Sequence, residues 1–337
     1  MTLENIIKRF RKPGKRSPKK YVTTWTEKEV LNDRVVECYV IVLRTKGCYW
    51  SRMSGCSMCG YINDCAEDAS PVDISMQFQN AMKAYAGQRY LKIYTSGSFL
   101  DEEEIEKNTG LKMLKTALSQ ADSVLIETRP EFISKQLLEN LPNGEGIEIA
   151  MGLESANNVV LQKSISKRMV FEDFKNACKI CKDLGIRTRA YVLIKPPFLT
   201  EKEAMMDAIS SARLSSDLVD TISFNPVNVQ RNTLVEYLWR RGEYRPPWLW
   251  TLLEVIESLR NLGPRILVST VGAGEKRGAH NCGQCDSVII DFLKDFSLDE
   301  LSSSPKLECN CRDEWLDLLD TQGPMQCSAD PASFFDR

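Results

Sequence analysis

The sequence predicts an α/β protein built on a parallel sheet, with a small cysteine-rich, metal-binding C-terminal appendage. Three observations carry that expectation. Six short β-rich runs alternate with amphipathic segments, which calls for crossover connections between parallel strands. Polar residues gather just after the runs, where ligands collect in parallel α/β sheets. A late change of texture, "GAGEKRGAHNCGQCDS" and then "LECNCRDEW", replaces the strand–helix pattern with paired cysteines. Periodicity alone leaves a doubly wound sheet and a closed or partly open barrel both possible. At 337 residues the chain is long enough for one large α/β domain with an appendage, or for two domains.

Residues 1–34 open the chain as a basic arm. Its first twenty positions hold eight Lys or Arg against Glu4, a balance of +7, so the other 317 residues carry −9 within a chain of net charge −2. Pro13, Gly14, Ser17 and Pro18 mark the arm as flexible, and its charge suits a phosphate backbone. The expected barrel or sheet domain occupies 35–271. Its strand runs are 35–44, 90–99, 123–129, 147–155, 187–195 and 221–227, with 263–270 as a possible seventh. Amphipathic segments lie near 75–86, 103–120, 131–140, 170–184, 201–214 and 247–261. Residues 272–337 form the cysteine-rich domain. No apolar run approaches the roughly 20 residues of a membrane span, and the N-terminus has no signal-peptide core. A cytoplasmic protein without membrane contact is therefore expected.

Twelve cysteines in a reducing compartment point to metal rather than to disulfides. Cys178 and Cys181, at helical spacing, read as packed thiols. In "RTKGCYWSRMSGCSMCGY", Cys48, Cys56 and Cys59 follow the first strand on one loop. Three thiolates hold three irons of a [4Fe-4S] cluster, which ordinarily takes four cysteines. The remaining iron is then open to the amino and carboxylate groups of S-adenosylmethionine. One electron from the cluster breaks the sulfonium bond and releases a 5′-deoxyadenosyl radical. The competing reading is a zinc site completed by another residue such as Cys65, but zinc knuckles bring ligands in close pairs and Cys48 stands alone. The rear group, Cys282-x2-Cys285 and Cys309-x-Cys311, suits Zn2+, a second cluster or unligated thiols, with His280 and Cys327 as further candidates. A single histidine, His280, argues against a histidine-based hydrolase.

These residues, with "IETRPEFI" (126–133), "IEIAMGLES" (147–155), "SKRMVFEDF" and "CKDLGIRTRAYVLIKPP" (181–197), resemble the radical S-adenosylmethionine superfamily, in its Elongator-like branch. The seven-residue gap between Cys48 and Cys56 departs from the usual three, as that branch allows. "KPPFLTE", "NPVNVQRNTLVE" and the cysteine-rich C-terminus are similar to the radical-subunit family of archaeal archaeosine synthases. The resemblance implies a partial (β/α)6 TIM-like barrel. It also implies a tRNA substrate whose D-loop carries a lysine adduct of 7-cyano-7-deazaguanine, cleaved at a C–N bond to leave archaeosine, a lyase-type reaction. The implied partners are the lysine-transferring subunit and an electron donor such as ferredoxin or flavodoxin. The alternatives are a methylthio- or acyl-transferring radical enzyme of tRNA, or a zinc-stapled RNA-binding module. The stretch after residue 230 does not read as an acetyltransferase domain, so the Elongator reaction itself is not expected.

By the same resemblance, Cys48, Cys56 and Cys59 ligate the cluster and Met58 and Tyr61 lie where adenine is contacted. Thr95, Ser96, Gly97 and Ser98 receive the methionine amino group, with Gly97 permitting close backbone approach, although a plain strand-to-helix turn is the other reading. Glu127 and Arg129 bind the ribose or aminoacyl end of the cofactor. Glu154 and Ser155 face its ribose and carboxylate, and Lys167 and Arg168 supply a cation for the carboxylate. Lys195, Asn225, Asn228 and Gln230 are candidates for substrate contact. Lys276 and Arg277, with the basic arm, are expected to face RNA.

Overall fold

The computed structural model describes residues 2–142, 144–299 and 302–322; Cys327 lies outside them. Eight strands form one sheet in sequential order: β1 (Thr23–Leu31), β2 (Arg34–Val42), β3 (Tyr90–Tyr94), β4 (Ser123–Thr128), β5 (Ile147–Glu154), β6 (Arg187–Ile194), β7 (Thr221–Pro226) and β8 (Arg265–Val268). From β2 to β8 every neighbouring pair is parallel, and β1 runs antiparallel to β2. The sheet curls into a partial barrel whose outer face is covered by α3 (Pro71–Met82), α4 (Lys107–Leu118), α5 (Lys135–Leu138), α6 (Phe171–Asp183), α7 (Glu201–Ser215) and α9 (Leu249–Glu257). All six expected strands and the possible seventh are present, but the second ends at Tyr94 rather than at 99, and the seventh shortens to Arg265–Val268. No described helix is long and apolar enough to cross a membrane.

The first correction concerns the arm. Residues 1–34 are not a flexible tail, because α1 (Leu3–Phe10) buries Leu3, Ile6 and Ile7 against Val160, Leu193, Leu234 and Leu238. Residues 23–31 form β1, so the 34/35 boundary cuts a hairpin. Asn32 and Asp33 both take positive φ, 50° and 57°, as a two-residue hairpin turn of the primed type requires.

Strand alternation separates two environments. Outward residues such as Tyr39, Ile41, Leu91 and Ile93 join the main apolar core against the helices. Inward residues are mixed: Cys38, Val40, Tyr90, Leu125 and Ala150 pack together beside Tyr94 and Tyr191. Among them runs a buried ion-pair network. Arg189 holds Glu148 at 2.7 Å and Glu29 at 2.6 Å, Lys92 pairs with Glu29 and with Glu27, and the Tyr90 hydroxyl donates to Glu148. β1 therefore delivers Glu29 into the barrel interior, with Glu27 two residues earlier on the same face also reaching Lys92.

The rear segment packs on the barrel, as expected of the cysteine-rich appendage. Its helix α10 (Asp286–Leu298) lies against β8, α9 and β1, spanning the gap between the two edge strands. Ile289, Phe292, Leu293 and Phe296 belong to the main core, as does Trp315 of α11 (Cys311–Thr321).

Burial alone would raise the Glu29 carboxyl, but Arg189 and Lys92 outweigh it and hold it at about 2. A carboxyl with a depressed folded-state pKa stabilises the fold above its unfolded value and loses that contribution as pH falls toward 2. Arg189→Met, which strips one partner from two buried carboxylates, should therefore cost about 3–5 kcal/mol at pH 7. The difference from wild type should narrow as pH falls below about 4.5. Urea unfolding at a series of pH values measures both.

Candidate active site and metal centre

The chain leaves β2 at Val42 and reaches Cys48 over five residues, at the C-terminal end of the sheet. The seven residues between Cys48 and Cys56 include a short helix, α2 (Tyr49–Met53), capped by Cys48. The widened gap is thus filled by structure. Trp50 of α2 is only 4% exposed, and its indole N–H donates to the Ser166 carbonyl at 2.7 Å. A π-helical turn, Val160–Ile165, supports the same loop, since Ile165 accepts from the Ser57 amide at 2.8 Å. Such turns recur at functional sites because they displace backbone carbonyls from the ordinary ladder.

From the other side, the loop after β3 grips Cys48. The Cys48 amide donates to the Ser96 carbonyl at 3.2 Å. A Cβ at Gly97 would stand 2.6 Å from both Cys48 Cα and Cys48 N, so only glycine fits beneath that residue. Thr95 Oγ1 accepts from the Gly97 amide at 3.1 Å, and Ser98 Oγ accepts from the Arg129 amide at 3.1 Å. Glu104 unites the two loops, because it accepts from the Ser98 amide at 2.7 Å and from the Thr45 hydroxyl. Burial pushes the Glu104 carboxyl up to about 7. In sequence Glu104 is hidden within "DEEEIE", an apparently solvated acidic run, and only its register beside Ile105 hints at burial.

The three thiols act on one another electrostatically. Burial pushes Cys56 up to about 12, while Lys167 and Arg129 pull it down and Cys59 and Cys48 raise it. Cys59 is also raised by burial, with the Tyr61 amide and Arg11 opposing. The chemistry of the donor set suits a thiolate-held cluster: three free thiols on one loop, with Lys167 and Arg129 acting on Cys56 and Arg11 on Cys59.

Around this loop the other expected residues separate into groups. Glu154, at a register shift in β5 with φ of 67°, holds Lys167 at 2.8 Å, and Lys167 also donates to the Gly152 carbonyl. Arg129 stacks over Tyr49 and pairs with Glu131 at 2.5 Å. The Arg168 guanidinium lies 5.9 Å from the Trp50 ring centroid, and the Arg168 carbonyl accepts from Arg129. Glu127 points into the barrel, bonded to Tyr191 and to the Thr95 amide, and burial pushes it up to about 7. Met58 packs beside the apolar cluster of Val160, Leu161 and Ile165, whereas Tyr61 is 60% exposed. Asn225 ends β7 half-buried and donates to the Ser223 carbonyl at 3.3 Å.

Five of the expected residues are engaged by neighbours within the chain. The Lys195 ammonium is held in a buried pair with Glu201, which also accepts from Thr251 and the Trp248 amide. Ser155 bonds Asp207 at 2.8 Å and caps the turn at Asn157. Asn228 donates to the Val271 carbonyl at 2.8 Å and clamps the 271–278 loop. Gln230 accepts from the Gly60 amide, so it braces the cysteine loop. Arg277 pairs with Glu236 at 2.8 Å and stacks on Trp239. Sequence places these residues at strand ends or on loops but does not show which neighbour will claim them.

The rear cysteines converge. Sγ atoms of Cys282, Cys285, Cys309 and Cys311 lie within 4.8 Å of one another, with close approaches of 3.6, 3.6 and 3.3 Å. A tetrahedral ion with metal–sulfur bonds of about 2.3 Å sets its ligands roughly 3.8 Å apart, so this spacing fits one ion and is too tight for a cubane. Indole Nε1 of Trp250 donates to Cys311 at 3.3 Å, and the Asn281 amide donates to Cys285 at 3.2 Å. His280 is turned away, its Nδ1 against the Gly278 carbonyl at 2.8 Å.

Comparison with known proteins gives the family. No protein-family model matches this chain. It is 37% identical to the archaeosine synthase subunit beta of Methanosarcina acetivorans, over 89% of this chain and 90% of that protein. The protein of the same description from Thermococcus kodakarensis is 35% identical over 87% of this chain and 95% of its own length. Among solved structures, an N-terminally truncated archaeal Elp3 from Methanocaldococcus infernus superposes with a TM-score of 0.48 at 16% identity, covering 69% of this chain and 60% of that one. The chain belongs to the family of archaeosine synthase beta subunits.

Gly97→Ala should lower iron retention after anaerobic reconstitution several-fold without changing the metal held by the rear cysteines, as metal analysis of the purified variant would show. Cys285→Ser should release the rear metal and lower the thermal midpoint by several degrees, because a structural metal's binding energy is part of the folding energy.

Proposed function

We propose that this chain is the radical S-adenosylmethionine subunit of archaeosine synthesis, acting on a tRNA whose D-loop carries the lysine adduct of 7-cyano-7-deazaguanine. The carrying observation is one cysteine loop, set at the C-terminal end of a parallel partial barrel and braced on every side, in a chain of this family. The reaction is a lyase-type C–N cleavage that leaves the formamidine of archaeosine on the base. A [4Fe-4S] cluster on Cys48, Cys56 and Cys59, with S-adenosylmethionine at its open iron, would supply a hydrogen-abstracting radical.

The chain's own residues define the setting for that chemistry. Lys167, held by Glu154, is the cation that would neutralise the cofactor carboxylate. Gly97 leaves the backbone beside it close against Cys48, and residues 95–98 would receive the cofactor's amino group. Glu127, poised at about 7, can change protonation inside the barrel while binding a ribose hydroxyl or the adduct's ammonium. Tyr94, Tyr191 and Leu125 line the interior and keep water from a reactive radical. Asn225, half-buried near the end of β7, is the side chain assigned to contact the adduct.

Zn2+ is the ion proposed for Cys282, Cys285, Cys309 and Cys311, where it fastens the segment that carries α10 across the barrel seam. Barrel and rear segment are proposed as the 35–271 and 272–337 units of one folded body, with the hairpin strand β1 belonging to the barrel. The subunit-beta name of the relatives supports a partner, which we assign as the lysine-transferring subunit. A ferredoxin or flavodoxin is the proposed electron source.

Anaerobic turnover with tRNA bearing the lysine adduct, followed by nucleoside mass spectrometry, tests the assignment. Archaeosine and 5′-deoxyadenosine should form together, and Cys48→Ala should reduce both to background while the rear metal stays bound. Formation of 5′-deoxyadenosine with no archaeosine would defeat the substrate assignment. A colourless protein holding zinc alone would defeat the radical chemistry.

A further inference from the structure

Beside the cysteine loop opens a cavity of about 850 Å³, the right size for a nucleotide unit with part of its backbone. Its charged walls come from three separate stretches of chain: Lys12, Lys15 and Arg16 from the arm, Asp64 from the cysteine loop, and Arg231 from the segment after β7. The single acid, Asp64, pairs with Arg16 at 3.5 Å. Among the described residues no carboxylate pairs with Lys12, Lys15 or Arg231, and all three side chains are exposed. Three cationic side chains converging without counter-charges repel one another, an arrangement that an anionic ligand relieves.

The cleft is built and fixed. The Gly14 amide donates to the Ile62 carbonyl at 2.8 Å, and Lys15 pairs with Ala66 in a single antiparallel bridge. A Cβ at Gly14 would stand 2.3 Å from the Asn63 carbonyl oxygen, so the arm lies directly on the cysteine loop. The opposite wall is tied in as well. Asn63 donates to the Arg231 carbonyl at 2.8 Å and accepts from Asn232 at 3.1 Å. At its floor Tyr61, two residues beyond Cys59, shows 60% of its surface to solvent.

We propose that this cleft docks the sugar–phosphate backbone of the tRNA loop presenting the target base, with Tyr61 stacking on an unpaired base. The inference rests on the functional reading above and names the surface that reading leaves open. Unpaired cations with an adjacent exposed aromatic ring are what single-stranded RNA recognises, cations taking phosphates and the ring taking a base face. An acidic peptide would use the cations but gain little from Tyr61. The location favours RNA further: the cleft shares Gly60 and Tyr61 with the cysteine loop, so a strand held there can turn one extruded base toward the barrel. The charge is also local, because the chain outside its first twenty residues is net acidic.

The test is equilibrium binding of an unmodified tRNA transcript to the full-length protein across a salt series. Lys12→Gln, Lys15→Gln and Arg231→Gln combined should weaken binding about tenfold or more and lower the log–log salt slope by roughly 2 to 3, as expected for three lost phosphate contacts. Tyr61→Ala should weaken it about fivefold or more without changing the slope. Lys107, Lys112 and Lys115, exposed on α4, serve as the control: their combined change to Gln should leave affinity near wild type. Matched thermal midpoints establish that each variant is folded. Wild-type affinity and slope in the cleft variant would overturn this inference and leave the functional reading standing. So would an equal loss in the α4 control. A wild-type protein with no affinity for tRNA would overturn both.

Discussion

Thiols must ionise to bind a cluster, and burial opposes that ionisation at Cys56 and Cys59, two of the three cysteines on one loop. Much of this protein answers that conflict. Cys56 is lifted to about 12, chiefly by burial with repulsion from Cys59 and Cys48 added, even with Lys167 and Arg129 opposing. Positive groups arrive from three directions: Lys167 beyond the π-helical turn, Arg129 from the end of β4, and Arg11 from the arm. None of them is a free surface charge. Lys167 is held by Glu154 and the Gly152 carbonyl, Arg129 by Glu131 and the Tyr49 ring, and Arg11 by the Ser54 carbonyl. A site that keeps its cations fixed need not reorganise when a metal replaces the protons.

Fixing the backbone matters equally, since a loop with a seven-residue gap has little rigidity of its own. The gap becomes α2, and Trp50 anchors it beneath Ser166. Gly97 lets the loop after β3 touch Cys48, Glu104 joins the two loops, and Gln230 reaches the far side at Gly60. The barrel beneath depends in turn on Glu29, Arg189, Lys92 and Glu148, which set paired charge among the apolar side chains of its interior. The rear cysteines complete the support, because the metal they would share pins the start of α10 at the seam between β8 and β1.

Most of this frame was legible in the sequence, for identifiable reasons. The parallel strands announce themselves because buried strands are runs of Val, Ile and Leu, and the cysteine spacings mark both metal sites. What stayed hidden follows from neighbours distant along the chain. β1 reads "TTWTEKEVL", whose charges conceal a strand because its inner face meets Arg189 and Lys92. Its hairpin turn, "LNDR", was the available signal. The basic composition of the arm masked the three apolar residues that bury α1. Lys195 and Ser155 stand at strand ends as expected, but Glu201 and Asp207 claim them from α7, a pairing no local pattern encodes.

The central claim is that Cys48, Cys56 and Cys59 leave one metal position of a cluster open to S-adenosylmethionine. Mössbauer spectroscopy of protein reconstituted anaerobically with ⁵⁷Fe, recorded with and without S-adenosylmethionine, addresses it directly. The account predicts that one iron in four changes its isomer shift and quadrupole splitting when the cofactor is added, while the other three keep theirs. Four equivalent irons that ignore the cofactor, or no cluster spectrum at all, would contradict it.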